Sequence, residues 1–260
     1  MKPKALVLQA HGSNRDFDVM DALTLGGADT TGVPLNELRT HKSLLKDFQL
    51  LVVPGGFSYA DALGAGKLLA LDMASYFSDE ITTFVKSGKP VIGICNGFQA
   101  LVKSGILPGS SPSPFQGEGR EEGQATLTFN QQGHFECRWV TLKSASKNCI
   151  WTKDLNEMIT CPIAHGEGNF QATTTISQEH IALTYTYTDG SSAHGTYPAN
   201  PNGSAMDIAG ICNPQGNVLG LMPHPENHIY SWQHPRHTRG EHAGSGLKLF
   251  ENGVKYSAQL

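Results

Sequence analysis

Four short apolar runs in the first hundred residues, alternating with stretches of helical spacing, constrain this chain more than any other feature. Ala5–Ala10, Val33–Leu38, Leu50–Pro54 and Val91–Cys95 are rich in leucine or β-branched residues and bounded by Gly, Pro or Asn, which reads as strands. Asp16–Leu25, Ala65–Phe77 and Asp79–Val85 repeat apolar residues at helical spacing, and Asn96–Val102 opens another helix. This repetition predicts an α/β fold: a mostly parallel central sheet with helices on both faces. Ligands bind such sheets at the carboxyl ends of the strands. Pro54-Gly55-Gly56 and Gly93–Gly97 fall there. The second half changes character. Thr126–Phe129, Glu136–Leu142, Thr173–Ile176 and Ile181–Thr188 alternate apolar and polar residues, which predicts an added antiparallel portion. Met206–Cys212 and Val218–Met222 flank a hairpin loop, Asn213-Pro-Gln-Gly-Asn217.

Length and charge narrow the class. The 260 residues fit one α/β domain, 1–260, interrupted by Ser110–Gly123 (SSPSPFQGEGREEG). That segment is too poor in apolar groups to order itself and is expected to be a flexible insertion, 110–123. Nineteen basic against 23 acidic residues give a net charge of −4, without the cationic footprint that a nucleic-acid partner needs. The longest apolar runs, Leu50–Pro54 and Pro90–Cys95, cannot cross a bilayer. Met1-Lys2-Pro3-Lys4 does not open a secretory leader. Five cysteines without a Cys-x-x-Cys pair fit free thiols in a reducing compartment, so a cytoplasmic location is expected.

Three segments carry chemistry. In Pro90-Val-Ile-Gly-Ile-Cys95-Asn-Gly97-Phe-Gln-Ala-Leu, a buried strand runs through Gly-x-Cys-x-Gly directly into a helix. That is the cysteine form of a nucleophile elbow: a sharp turn exposes the side chain, and the helix N-terminus favours a thiolate and offers backbone N–H groups. The bland alternative, a core cysteine at a strand end, loses to the two flanking glycines. In Met222-Pro-His224-Pro-Glu226, residues two apart in an extended segment face the same way. Glu226 can therefore orient His224 while the imidazole takes a thiol proton. Gly55-Gly56 directly follows a strand and can aim backbone N–H groups inward, forming an oxyanion hole of Gly56 with the N–H of Asn96.

Together these residues resemble a class I glutamine amidotransferase. Gly56-Phe-Ser-Tyr59 with Asp61, Gly93-Ile-Cys-Asn-Gly-Phe-Gln99, Pro162-Ile-Ala-His-Gly-Glu-Gly168 and Asn200-Pro-Asn-Gly-Ser204 through Met222-Pro-His-Pro-Glu226 sharpen the match. They are similar to the glutaminase subunit family of phosphoribosylformylglycinamidine synthase. The resemblance implies a flavodoxin-like class I amidotransferase fold and hydrolysis of glutamine, with the ammonia passed onward. It implies Cys95 as nucleophile, His224 as proton shuttle and Glu226 as its holder. Gly55 and Gln99 would help bind the substrate glutamine, and His165 and Glu167, on the His165–Gly168 loop, would either close over that glutamine or face the synthetase. It also implies partners: a separate synthetase subunit with a small accessory subunit, and ATP and Mg2+ held by that synthetase. Against the family pattern, Ala60-Asp61-Ala62-Leu63-Gly64 replaces a glycine and an aromatic–Leu–Arg run.

Other signals are weaker. Gly64-Ala-Gly66-Lys67-Leu68 fails as a phosphate loop, because Asp61 and Leu68 stand where Gly and Ser or Thr are needed, so no nucleotide cofactor is expected on this chain. His224, His228, His234, His237 and His242 complete no zinc spacing, so no metal is expected and surface histidines are the simpler reading. Cys137, Cys149, Cys161 and Cys212 read as plain thiols. A cysteine hydrolase or peptidase of the same fold, and a non-catalytic scaffold, are the alternatives. Gln99 and His-Pro-Glu argue against the first, and the intact Cys95, His224 and Glu226 against the second.

Overall fold

A computed structural model describes residues 1–109, 125–242 and 244–260. The insertion expected at 110–123 lies outside the described residues. In chain order the elements are β1 (Lys4–Gln9), α1 (Asp16–Leu25), β2 (Asp29–Pro34), α2 (Leu35–Thr40), β3 (Leu50–Val53), α3 (Lys67–Tyr76), α4 (Ser78–Lys86), β4 (Val91–Ile94), α5 (Asn96–Lys103), β5 (Ala125–Thr128), β6 (Glu136–Ser144), β7 (Ile159–His165), β8 (Asn169–Ala172), β9 (Ile181–Thr186), β10 (Ile208–Cys212), β11 (Val218–Leu221) and α6 (Leu247–Ser257).

A nine-stranded sheet has the order β2-β1-β3-β4-β11-β10-β9-β6-β7. β2, β1, β3, β4 and β11 are mutually parallel, while β10 and β6 run against the other strands. The sheet is thus mostly parallel with an antiparallel portion, as expected. β5 and β8 form a separate antiparallel pair. The chain reverses direction across the sheet between β1 and β3, so right-handed crossovers put α1 and α3 on opposite faces. α1 packs with α6, and α3 with α5. β3 (LLVV) and β4 (VIGI) are buried at every position, which is why they read as unbroken apolar runs. α5 is buried at every residue from Asn96 to Val102. A Cβ on Gly220 of β11 would overlap the Phe98 ring, so that glycine lets α5 seat on the sheet.

Several expectations need correction. The strand read at Val33–Leu38 is Asp29–Pro34, and α2 follows at once. β2 is the outermost strand and buries only Val33, whereas Leu35 and Leu38, three apart, are the buried face of a helix. No strand forms at Thr173–Ile176, where the three threonines are exposed; the strand is β8, just upstream. β7 and α6 went unread. β7 carries Pro162 in its middle, which an edge strand tolerates. α6 contains Asn252-Gly253, which reads as a turn, yet a Cβ on Gly253 would overlap Trp151 and Asn252 donates to the Trp151 and Lys153 carbonyls. Among the described residues no helix is long and apolar enough to cross a membrane.

Candidate active site

The β4–α5 turn holds the expected nucleophile, Cys95. Cys95 has φ 50° and ψ −106°, a disfavoured backbone for a non-glycine residue. Three contacts hold it there: its N–H donates to the Leu221 carbonyl at 2.8 Å, its carbonyl accepts from Gln99 N–H at 3.0 Å, and its sulfur faces the Ala164 carbonyl at 3.7 Å. Both flanking glycines are obligatory. A Cβ on Gly93 would lie 2.8 Å from the Gly97 carbonyl oxygen, and one on Gly97 would overlap the Val53 carbonyl. The elbow therefore needs β3, α5 and β11 closed tightly around it.

His224 stands beside the sulfur. Its Nδ1 pairs with the Glu226 carboxylate at 2.7 Å, and its backbone N–H donates to the Pro162 carbonyl at 2.8 Å. Glu226 is fully buried and His224 nearly so. Burial disfavours the imidazolium, but the Glu226 carboxylate and the Cys95 sulfur outweigh it and push His224 up to about 10. Nδ1 is thereby fixed and Nε2 is left for the thiol. Nearby Cys161 is pushed well up by burial and the Glu226 charge, which keeps that thiol protonated.

The Gly55-Gly56 loop closes over this pair. A Cβ on Gly55 would lie 2.7 Å from His224 Cε1 and 3.5 Å from Cys95 Cβ. Gly56, at φ +141°, is clamped against Gly12–Asn14: Asn14 N–H donates to Gly55 O at 3.3 Å and Phe57 N–H to Gly12 O at 2.9 Å. Among the described residues no protein carbonyl accepts from the Gly56 or Asn96 backbone N–H. These are the two donors expected of an oxyanion hole.

The opposite wall is the segment after β7. Gly56, Phe57, Asp61, Ala65, Cys95, Gln99, Phe129, Phe135 and Ala164–Glu167 line a pocket of about 150 Å³. Phe57 and Phe135 stack at its rim, with ring centroids 6.3 Å apart, and both are exposed with Phe129. His165 is buried; its Nδ1 meets Asn130 Oδ1 at 3.1 Å, and its Nε2 has no partner among the described residues. Burial, with the neighbouring His224 charge, drives His165 down to about 3 and keeps it neutral. Gln99 donates to the Glu167 carbonyl at 2.7 Å and accepts from Asn96 Nδ2 at 3.0 Å, so its amide already ties the two walls together. The Glu167 carboxylate meets the Ala65 N–H at 3.2 Å and Lys103 at 3.5 Å. Of the expected site residues, Gly56, Cys95, Gln99, His165 and Glu167 line this pocket, while Gly55, Asn96, His224 and Glu226 stand directly behind Cys95 and Gly56. Asn130 and Lys103 were missed, since a lone Asn after β5 and a lysine at the end of α5 carry no motif. His228 and His234 are buried against Trp139, correcting the expectation of surface histidines. His242 is exposed, as expected, whereas His237 is half-buried.

A buried Cys-His-Glu set at a strand–helix elbow is arranged for acyl transfer from an amide or ester. The profile of the CobB/CobQ-like glutamine amidotransferase domain matches residues 2–257. The chain belongs to the CobB/CobQ-like glutamine amidotransferase family. Among the relatives of this amidotransferase, a protein of Treponema denticola named phosphoribosylformylglycinamidine synthase subunit PurQ is 52% identical, covering 98% of this chain and 99% of that one. The like-named protein of Dehalococcoides mccartyi is 41% identical over 100% and 99%. Of solved structures, the PurLQS structure from Thermotoga maritima matches with a TM-score of 0.73 and 31% identity, covering 98% of this chain and 99% of its counterpart. The amidotransferase also shares its fold, at 17% identity and a TM-score of 0.59, with a putative GMP synthase subunit from Thermoplasma acidophilum.

Proposed function

We propose that this amidotransferase is the glutaminase subunit of phosphoribosylformylglycinamidine synthase. It hydrolyses glutamine to glutamate and supplies the ammonia to a separate ATP-dependent synthetase. That partner, with a small accessory subunit, converts formylglycinamide ribonucleotide to formylglycinamidine ribonucleotide in de novo purine biosynthesis. Full-length similarity to the PurQ subunits and to the Thermotoga maritima PurLQS structure supports this reading. The single observation that carries the chemistry is the Cys95–His224–Glu226 set at the elbow, beside two free backbone donors.

The Cys95 thiolate attacks the side-chain amide carbon of glutamine while His224 carries the proton. The amide oxygen becomes an oxyanion held by the N–H groups of Gly56 and Asn96. His224 then protonates the leaving nitrogen, ammonia departs, and a γ-glutamyl thioester remains on Cys95. Water adds to the thioester with His224 taking its proton, and collapse releases glutamate and the thiolate. Glu226 holds the imidazole in one tautomer throughout. Gly55, Gln99, His165 and Glu167 form the walls around the substrate, with Gln99 and Glu167 acting by bracing one another. ATP and Mg2+ belong to the synthetase, and the setting is cytoplasmic. The exposed phenylalanine rim leaves the pocket mouth for the synthetase to cover, so the isolated subunit turns over slowly.

The test is glutamate release from glutamine by this chain alone and then with its synthetase, accessory subunit, ATP and formylglycinamide ribonucleotide. Strong stimulation by the full set, with ammonia appearing in the product, is expected. Release indifferent to the synthetase would contradict the assigned acceptor, and cleavage of peptides instead would favour a peptidase.

A further inference from the structure

The loop that follows Gly56 is held in an unfavourable backbone. Tyr59, Ala60, Asp61 and Leu63 all have left-handed φ, at 54°, 55°, 53° and 65°. Such a run persists only when its surroundings over-determine it, and two sets of contacts do so. On the near side, Asn96 of α5 accepts from Ser58 N–H at 3.1 Å and donates to Asp61 at 3.1 Å. On the far side, one ion pair brackets a single residue. Ala65 donates its N–H to Glu167, and its carbonyl accepts from the Lys103 ammonium, while Lys103 and Glu167 pair at 3.5 Å. Glu167 is itself tied to α5 through its carbonyl, which accepts from Gln99. The pair therefore fastens the loop, the elbow helix and the segment after β7 at one point.

We propose that the Lys103–Glu167 ion pair is the clasp that keeps the Gly56 backbone N–H directed at the substrate carbonyl, making Lys103 a positioning residue for glutamine hydrolysis. Lys103 lies two turns along α5 from Cys95 and does not line the pocket. It acts through Ala65 and the strained turn that runs back to Gly56, whose neighbours Gly55 and Phe57 are hydrogen-bonded to Asn14 and Gly12. Its charge matters as well as its reach. Asp61 and Glu167 face each other across the clasp, Lys103 is the cation between them, and Lys67 adds a second positive charge nearby. Burial and the Glu167 charge raise the Asp61 carboxyl, while Lys103 opposes that rise. Without Lys103 one of the groups opposing that rise is lost, and the Asp61 carboxyl takes up its proton at higher pH.

This inference rests on the glutaminase reading, and its test separates the two. Lys103→Met and Lys103→Arg are assayed in the complex with the synthetase and accessory subunit, using glutamine and then free ammonia as nitrogen source. In Lys103→Met, glutamine-dependent kcat is expected to fall about 10- to 100-fold, the cost of a misplaced reacting group. Ammonia-dependent synthesis should hold, the acid limb of the glutamine profile should move to higher pH, and Lys103→Arg should recover most of the rate. Hydrogen exchange at the Ala65 amide should accelerate in Lys103→Met whatever the substrate. An unchanged glutamine rate and pH profile in a folded variant would overturn the proposal, as would an equal loss with ammonia. If the wild-type complex used no glutamine, the functional reading would fail, and an unchanged Ala65 amide would sink the clasp.

Discussion

The two walls of the pocket are built by different physics. The parallel side, β3 and β4 with the turns after them, positions Cys95, Gly55 and Gly56 by steric fit: glycines where a Cβ would strike backbone, and a disfavoured φ at Cys95. The antiparallel side, β7 and the segment to Gly168, works by buried hydrogen bonds. Pro162 gives its carbonyl to His224, and Asn130 alone joins His134, His165 and Gly168 through four bonds. Steric fit leaves a sequence signature because only glycine satisfies it. Hydrogen bonding by a single Asn or a proline carbonyl leaves none. His224 is where the two systems meet, touching Gly55 on one side and Pro162 on the other.

That contrast is open to direct attack. The largest effect belongs to the nucleophile: Cys95→Ala should lower glutamine-dependent turnover by about 10⁴-fold or more while ammonia-dependent synthesis in the complex continues. Next is the holder of the base. Glu226→Gln keeps the shape but not the charge, and kcat should fall about 10²–10⁴-fold, read by steady-state glutaminase kinetics. On the steric wall, Gly97→Ala forces a Cβ into the Val53 carbonyl and should cost about 3 kcal/mol of stability in denaturant unfolding. On the hydrogen-bonded wall, Asn130→Ala should cost about 2 kcal/mol and loosen His165. If Asn130→Ala proved as damaging as Gly97→Ala, the division between the walls would blur.

The remaining predictions concern pH. His224 sits above its ordinary value, at about 10, so the charged imidazole contributes stability that is complete below about pH 6.5 and is lost as pH rises toward 10. His165 is the reverse, held neutral down to about 3. Between pH 6.5 and 3 the unfolded chain binds the extra proton, so stability falls as pH drops through that window. His165→Gln should flatten the acid slope and leave the alkaline one, as measured by unfolding midpoints across pH.

The elbow, the glycine pair, α1, β3 and β4 were readable, since continuous apolar runs and obligatory glycines are local signals. His-Pro-Glu was readable because two residues of an extended segment share a face. The edge strand β7 was hidden by Pro162, and β2 by its single buried residue. α6 was hidden because Gly253 serves Trp151, a residue about a hundred positions away. The bracing roles of Gln99 and Glu167 depend on partners brought together by the sheet, and no spacing announces them.

Cys95 is expected to carry the glutamyl group between the two walls. The most direct test is to quench the complex during turnover on labelled glutamine and locate the covalent label by peptide mass spectrometry. Label is expected on the peptide containing Cys95 and absent in Cys95→Ala. Label on the exposed Cys137, or turnover with no covalent intermediate on any cysteine, would contradict it.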